Sequence, residues 1–403
     1  MGKTHMELVR ADAAPDAHAD ATALACAPTV DLALVDREPS EEDVRRFFSL
    51  IDTRLTPEQE ARIVTPPATY PRQQEVLAVH WHPEYVPFPL LEQRLETLYP
   101  NAREKLIIPT QHNVMLTWGD YAGVEVDCYS SGFNRKVQLL LHFKAENLDE
   151  RAHTLNAMLA HTLKYRGSQL FELLDALILD SQEEIRQRAA GESGADEALV
   201  EFCGIQAAKL KQLVETHWND VPVDMIKNKL VRNWLDMLRE YYGDRFIARC
   251  QTYVKQVKMQ VKERFSLSYF YRASEVIEEA RSLGAGVVIP HPEQFWPILL
   301  AGYDVDGYEV WNPQSLEYTE FLITVVHRQN RSRCRTERQL LVFMGDDCHM
   351  SEKLKEPASQ DPEKTAREVG LQPPWEDMRI RKSLIVAGMD RHAVIAEYAD
   401  RLG

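Results

Sequence analysis

His80-Trp81-His82 closes a short apolar run at residues 75–80 (EVLAVH). Side chains alternate along an extended strand, so the two imidazoles point the same way with Cα atoms about 6.6 Å apart. At that spacing both can hold one metal ion. One such pair arises readily by chance in a chain with 13 histidines, so the weight falls on what accompanies it. His112 follows the apolar run 105–109 (KLIIP), Glu125 sits inside 123–127 (GVEVD) and His291 ends 285–290 (AGVVIP). Asp347 and His349 follow 340–345 (LLVFMG). A carboxylate inside an otherwise apolar strand is costly unless a counter-charge or a metal takes it up. A surface histidine or a capping aspartate is the simpler account of any one of these residues. It does not account for five separate strands that each end in, or carry, a histidine or a carboxylate. Imidazole and carboxylate donors together suit Zn, Mn or Fe. The chemistry they predict is metal-assisted hydrolysis, with Asp347 or His349 as ligand or proton shuttle.

The elements that must position these groups are read from the same runs, joined by 136–142 (KVQLLLH) and 307–311 (GYEVW). Continuous apolar runs separated by helical stretches predict buried parallel strands of an α/β fold. Functional groups in such folds gather at the carboxyl ends of the strands. Residues 146–283 differ in character: Pro222 is the single proline, and stretches such as LLDALILDSQEEIRQRAA carry helical periodicity. The predicted division is an acidic flexible tail (1–40), a first part of the strand-bearing body (41–145), a helical insertion (146–270), a second part (271–350) and a closing segment (351–403). Ser40 is placed to cap a helix with Glu42 and Asp43 in its first turn. Residues 355–377 read as an irregular excursion and 390–402 as a closing surface helix.

Composition sets the bounds. The chain has 403 residues, 44% hydrophobic and 27% charged, as an ordinary globular protein has. Its 62 acidic and 47 basic side chains leave a formal charge of −15, which argues against general binding to nucleic acids or anionic membranes. No run of 18 apolar residues predicts a membrane span, and no apolar leader opens the sequence. Cys26, Cys128, Cys203, Cys250, Cys334 and Cys348 form no CxxC pair, so the expected compartment is the reducing cytoplasm. Within the insertion, residues 205–265 carry 12 Lys and Arg against 7 Asp and Glu, with aromatic residues interleaved. That pattern suits a phosphate-rich ligand, but aromatics packing helices beneath a solvated basic face is the preferred reading.

The motifs His80-x-His82, Thr110-Gln111-His112, Gly123-x-Glu125, Ile289-Pro290-His291-Pro292 and Gly345-x-Asp347-x-His349, in this order, resemble those of the PHP (polymerase and histidinol phosphatase) superfamily. Gly307-Tyr308-Glu309-Val310-Trp311-Asn312 matches that family's strand before its last motif. The resemblance covers about 150 residues and implies a distorted (β/α)7 barrel, here interrupted by a large all-helical insertion. It implies one to three divalent ions at the barrel mouth. His80, His82, Glu125 and Asp347 would hold the first, Glu125 would bridge to a second with His291, and His112 and His349 would bind a third. The implied activity is that of a metal-dependent phosphoesterase acting on a small phosphorylated substrate or nucleotide. Three departures stand out. Gln111 replaces an aspartate, Gln138 replaces a histidine, and the further histidine after the HxH pair is missing, with Glu84 or Phe88 in its neighbourhood. His142 shares a strand face with Gln138 about 13 Å along, so both are the weaker candidate ligands. Two alternatives remain: an amidohydrolase-like hydrolase, and a PHP-like binding or regulatory module that has lost catalysis. The insertion could form a lid, an oligomer interface or a binding arm.

Overall fold

The computed structural model describes residues 30–148, 150–334, 336–357 and 360–403. Most of the acidic tail, with Cys26, lies outside the described residues. Ten strands carry an α/β body: β1 (Glu75–Ala78), β2 (Trp81–His82), β3 (Glu104–Ile107), β4 (Leu116–Trp118), β5 (Tyr121–Ser130), β6 (Arg135–Lys144), β7 (Gly286–Ile289), β8 (Gly307–Trp311), β9 (Leu341–Met344) and β10 (Cys348–His349). Six form one sheet in the order β4-β5-β6-β7-β8-β9, while β1 pairs with β3 and β2 with β10.

Each apolar run of the sequence forms a strand, but the expected parallel arrangement holds only in part. The β1–β3, β2–β10, β7–β8 and β8–β9 pairs are parallel, whereas β4–β5, β5–β6 and β6–β7 are antiparallel. An apolar run reports burial on both faces, not direction. Residues 131–134 form a tight turn between β5 and β6, and a connection that short can only fold the chain back antiparallel. Backbone bonds continue past the ladders. His112 bridges Glu125, Glu125 N donates to Gln111 O (3.1 Å), and Asp347 N donates to His80 O (2.9 Å). These bonds carry the ends of β3 and β9 toward β5 and β1.

Contacts divide the chain into two compact units. One combines the described residues up to Leu50 with Leu173–Trp218 and Lys229–Val261, and it is helical. Ser40 caps its first helix, Glu41–Ile51, by accepting from Asp43 N (3.1 Å), and Lys209 Nζ donates to the buried Asp43 carboxylate at 2.8 Å. Trp234, Phe246 and Tyr253 are buried in this unit, and Trp234 Nε1 donates to Gln206 Oε1 (3.2 Å), so these aromatics pack helices.

The other unit, Ile51–Glu172, Asn219–Asn228 and Lys262–Gly403, holds all ten strands. Its core takes Leu139, Leu141, Val287, Ile289, Val342 and Phe343 from the sheet. The closing helix Arg391–Leu402, capped by Asp390, is more than a surface element, because it drives Val394, Ile395, Tyr398 and Leu402 into that core. The polar segment before it is mostly irregular, and its residues 367–370, Gln372, Pro374 and Trp375 are buried. Its Glu368 receives two bonds from Arg94 (2.6 and 2.9 Å) and one from Lys353 Nζ (2.9 Å). Among the described residues no helix is long and apolar enough to cross a membrane. Cys128, Cys203, Cys250 and Cys348 are buried free thiols and Cys334 an exposed one.

Candidate metal centre

All seven residues singled out by their strand-end positions converge. His80 follows β1, His82 ends β2, His112 lies beyond β3, Glu125 sits mid-β5, His291 follows β7, and Asp347 and His349 flank the start of β10. They form three overlapping sets able to hold a metal ion: His80, His82 and Asp347; His80, Glu125 and His291; His82, His112 and His349. Within each set the donor atoms lie within 4.8 Å of one another.

The distances are those of groups gathered without bonding one another. His80 Nε2 stands 3.7 Å, and His82 Nε2 3.5 Å, from Asp347 Oδ1. His82 Nε2 is also 3.5 Å from Glu125 Oε2, and His291 Nε2 is 3.6 Å from Glu125 Oε1. His112 Nδ1 comes within 2.6 Å of Glu125 Oε2, out of hydrogen-bond alignment. Among the described residues, His80 Nε2, both ring nitrogens of His82 and Nδ1 of His291 are buried without a hydrogen-bond partner. Buried polar atoms are nearly always bonded, and these orphans converge from separate strands as donors that could hold a cation.

Electrostatics point the same way. Burial presses the His80 imidazolium down, yet Glu309, then Asp347 and Glu125, outweigh it and hold the pKa up to about 10. The carboxylates make the cluster take up a proton where a cation would serve. His82 stacks against both His349 (4.3 Å) and His112 (4.5 Å), and burial followed by those two rings drives its pKa down to about 3. Burial opposes ionisation of Glu125, but His112 and His291 hold its carboxyl well below the usual range. His349 and His82 do the same for Asp347.

The backbone is strained where it delivers these groups. Glu84 (φ 53°), His291 (φ 29°) and Asp347 (φ 44°) adopt left-handed conformations that residues other than glycine rarely take. The supporting bonds are specific. His291 N donates to Glu309 Oε2 (2.6 Å), and Arg367 Nη1 (3.0 Å) and Gln314 Nε2 (2.8 Å) donate to Asp347 Oδ2.

Several of these supports were hidden in the sequence. Glu309 belongs to a run whose apolar neighbours suggest a structural strand end, but its carboxylate holds His80. Glu84 lies 3.6 Å from His349 Nδ1 and accepts from Ser351 N (3.0 Å) and Lys227 Nζ (3.3 Å). Gln111 Nε2 donates to Asp224 Oδ1 at 2.6 Å, which ties it to the segment Asn219–Asn228. Nothing local marks Asp224, Lys227 or Arg367. The two weaker candidates stand apart from the cluster's open donors. His142 is buried with Nδ1 on Tyr398 Oη (2.7 Å) and Nε2 on Val79 O (2.8 Å), so both nitrogens are engaged. Gln138 faces Asp127 across the β5–β6 ladder, while Leu140 takes the place opposite Glu125.

No family model matches the chain, and no curated protein matches it. Among solved structures, one described provisionally as a metal-dependent phosphoesterase, from Bifidobacterium adolescentis, is 16% identical, with 80% of this chain and 99% of that chain covered and a TM-score of 0.38. At that score the likeness supports no conclusion about fold or function.

Proposed function

We propose that the strand-bearing unit is a distorted (β/α)7 barrel of PHP type and that the protein is a metal-dependent hydrolase of a phosphoester, with a small phosphorylated molecule or nucleotide as substrate. The His112–Glu125 bridge, which joins the chain beyond β3 to β5 of the six-stranded sheet, and the β2–β10 pairing, which sets the chain after β1 beside the chain after β9, support the barrel. One observation carries the functional reading: buried, unpartnered nitrogens of His80 and His82 meet Asp347 and Glu125 at 3.5–3.7 Å.

In this reading His80, His82, Glu125 and Asp347 would hold a first ion, Glu125 and His291 a second, and His112 and His349 a third. Zn, Mn or Fe held there supplies a Lewis acid that acidifies water and offsets phosphoryl charge. The protein's own groups do the rest. Glu309 fixes the ring of His80, and Arg367 and Gln314 fix Asp347. His349 is one-third exposed and, with Asp347 and Glu84 overcoming its burial, is held up to about 9. In the metal-free protein it therefore carries a proton at neutral pH, and it would serve as a proton donor only where it does not ligate the third ion. Buried unpaired thiols fit a reducing compartment, the cytoplasm.

The test is metal analysis by ICP-MS with p-nitrophenyl phosphate hydrolysis in Mn, Zn or Fe. Bound metal and turnover that the His80→Ala/His82→Ala variant lacks are expected. Protein that carries no metal and stays inactive after metal addition would overturn the reading.

A further inference from the structure

Arg391 stands at the opposite end of β1 from His80. Its Nη1 donates to Glu75 O (3.1 Å) and its Nη2 to Gln372 O (3.5 Å). Its Nε is buried and has no partner among the described residues, and the whole residue is 5% exposed. A guanidinium keeps its proton at any ordinary pH, so a full positive charge is buried there. Other buried cationic side chains of this unit have buried carboxylates: Arg94 and Lys353 share Glu368, and Arg401 pairs with Asp306. The carboxylate near Arg391 is Glu376, 3.6 Å from Nη2 and 72% exposed.

Two further features set this arginine apart. It is the first residue of the helix Arg391–Leu402, whose amino-terminal end already carries partial positive charge and disfavours a cation. Burial also presses its pKa below the ordinary value, against the pull of Glu376 and Glu75. Cavities open on both sides of it. One of about 590 Å³ is lined by Tyr70, Arg72, Gln372 and Glu376, and another of about 500 Å³ by Trp375, Arg381 and His392. The Arg391 guanidinium carbon lies 5.9 Å from the Trp375 ring centre.

We propose that Arg391 and Arg72 form a binding site for a small oxyanion, a metabolite with a phosphate or carboxylate head, in the 590 Å³ cavity and independent of the metal cluster. The anion supplies a partner for the buried charge in place of the exposed Glu376, which swings out to admit it. A planar guanidinium fork suits such a head, because it offers paired donors at fixed spacing.

Isothermal titration of the full-length protein with pyrophosphate and, separately, with citrate tests this. Saturable binding is expected for at least one of them, and which one binds identifies the head group. His80→Ala/His82→Ala should retain that binding, which separates this site from the metal cluster and from the fate of the proposed phosphoesterase activity. Arg391→Met and Arg72→Ala should each weaken it about tenfold or more. Arg72 is exposed, so its replacement remains informative if Arg391→Met fails to fold. Glu376→Gln removes the competing carboxylate and should tighten binding. The proposal is overturned if neither anion binds, if binding vanishes in His80→Ala/His82→Ala, if Arg72→Ala leaves it unchanged, or if Glu376→Gln weakens it.

Discussion

His80 Nδ1 and Glu309 Oε1 stand 2.7 Å apart with both side chains 1% exposed, and the second oxygen of the same carboxylate accepts from His291 N. One carboxylate thus orients an imidazole at the end of β1 and fixes the strained backbone at the end of β7. Gly345, just after β9, makes room for it: a Cβ there would fall 1.3 Å from Glu309 Oε1. A carboxylate on the far nitrogen of a metal-binding imidazole sets its tautomer and raises its basicity. Glu309→Gln keeps the shape and removes the charge, so metal affinity should fall about 10–100-fold. Gly345→Ala, which evicts the carboxylate, should cost at least as much. Competition titration with a chromophoric chelator measures both, and unchanged affinity in Glu309→Gln would reduce Glu309 to a packing role.

Metal and protons compete for the same cluster. His80 and His349, raised to about 10 and about 9 by their carboxylates, both carry protons at pH 7 in the metal-free protein. Their folded pKa values lie above the unfolded value, so they stabilise the metal-free fold fully below pH 6.5. That contribution is lost as pH rises through 9 and 10. A bound ion needs the deprotonated rings, so metal uptake should strengthen about tenfold per pH unit for each proton displaced. Melting curves with EDTA and with excess metal, at pH 6 through 9, check both signs. The stabilisation by metal should widen as pH rises and reach about 2.7 kcal/mol at a hundredfold excess over Kd. A gap that narrows with pH would contradict the protonation of these rings.

How far the sequence announced this site can be seen by residue. His80, His82, His112, Glu125, His291, Asp347 and His349 were legible because each is a polar group at the end of, or inside, an apolar run. Strand-end chemistry leaves that one-dimensional trace. The antiparallel courses of β5 and β6 left none in the apolar runs themselves, since burial on both faces looks the same in either direction; only the short connection between them carries it. Arg367 and Lys227 were invisible for another reason. They reach Asp347 and Glu84 from segments distant in sequence, and a lone cation in a polar stretch is ordinarily a solvated one. His142 misled because face and spacing alone do not reveal that Tyr398 and Val79 already hold its ring.

Gln111 illustrates how a departure from the motifs that the sequence resembles can be tested. Its Nε2 donates to Asp224 Oδ1 at 2.6 Å, and its Oε1 accepts from Glu84 N at 3.3 Å. Gln111→Asp would set a carboxylate against Asp224 rather than add a useful ligand. The expected result is faster hydrogen exchange across Asn219–Asn228, with protection restored by adding Asp224→Asn. Exchange unchanged in Gln111→Asp would mean that the Gln111–Asp224 bond does not hold this segment.

His142 supplies an acid-sensitive element of the core. It is fully buried between Tyr398 Oη and Val79 O, and burial drives its pKa down to about 3. The folded pKa is below the unfolded value of 6.5, so its contribution to stability is present above pH 6.5 and is lost progressively as pH falls toward 3. Between pH 7 and pH 5 the unfolded chain gains a proton that the folded protein refuses, which amounts to about 2 kcal/mol. His142→Gln retains one donor and one acceptor but cannot titrate. Its absolute stability should be lower, because the ring also fills space beside Tyr398. Its loss between pH 7 and pH 5 should nevertheless be smaller than the wild-type loss by about 2 kcal/mol. Urea unfolding in EDTA at the two pH values measures the difference with metal excluded. Parallel losses in the two proteins would show that His142 is protonated in the folded state and has found a partner for its charge.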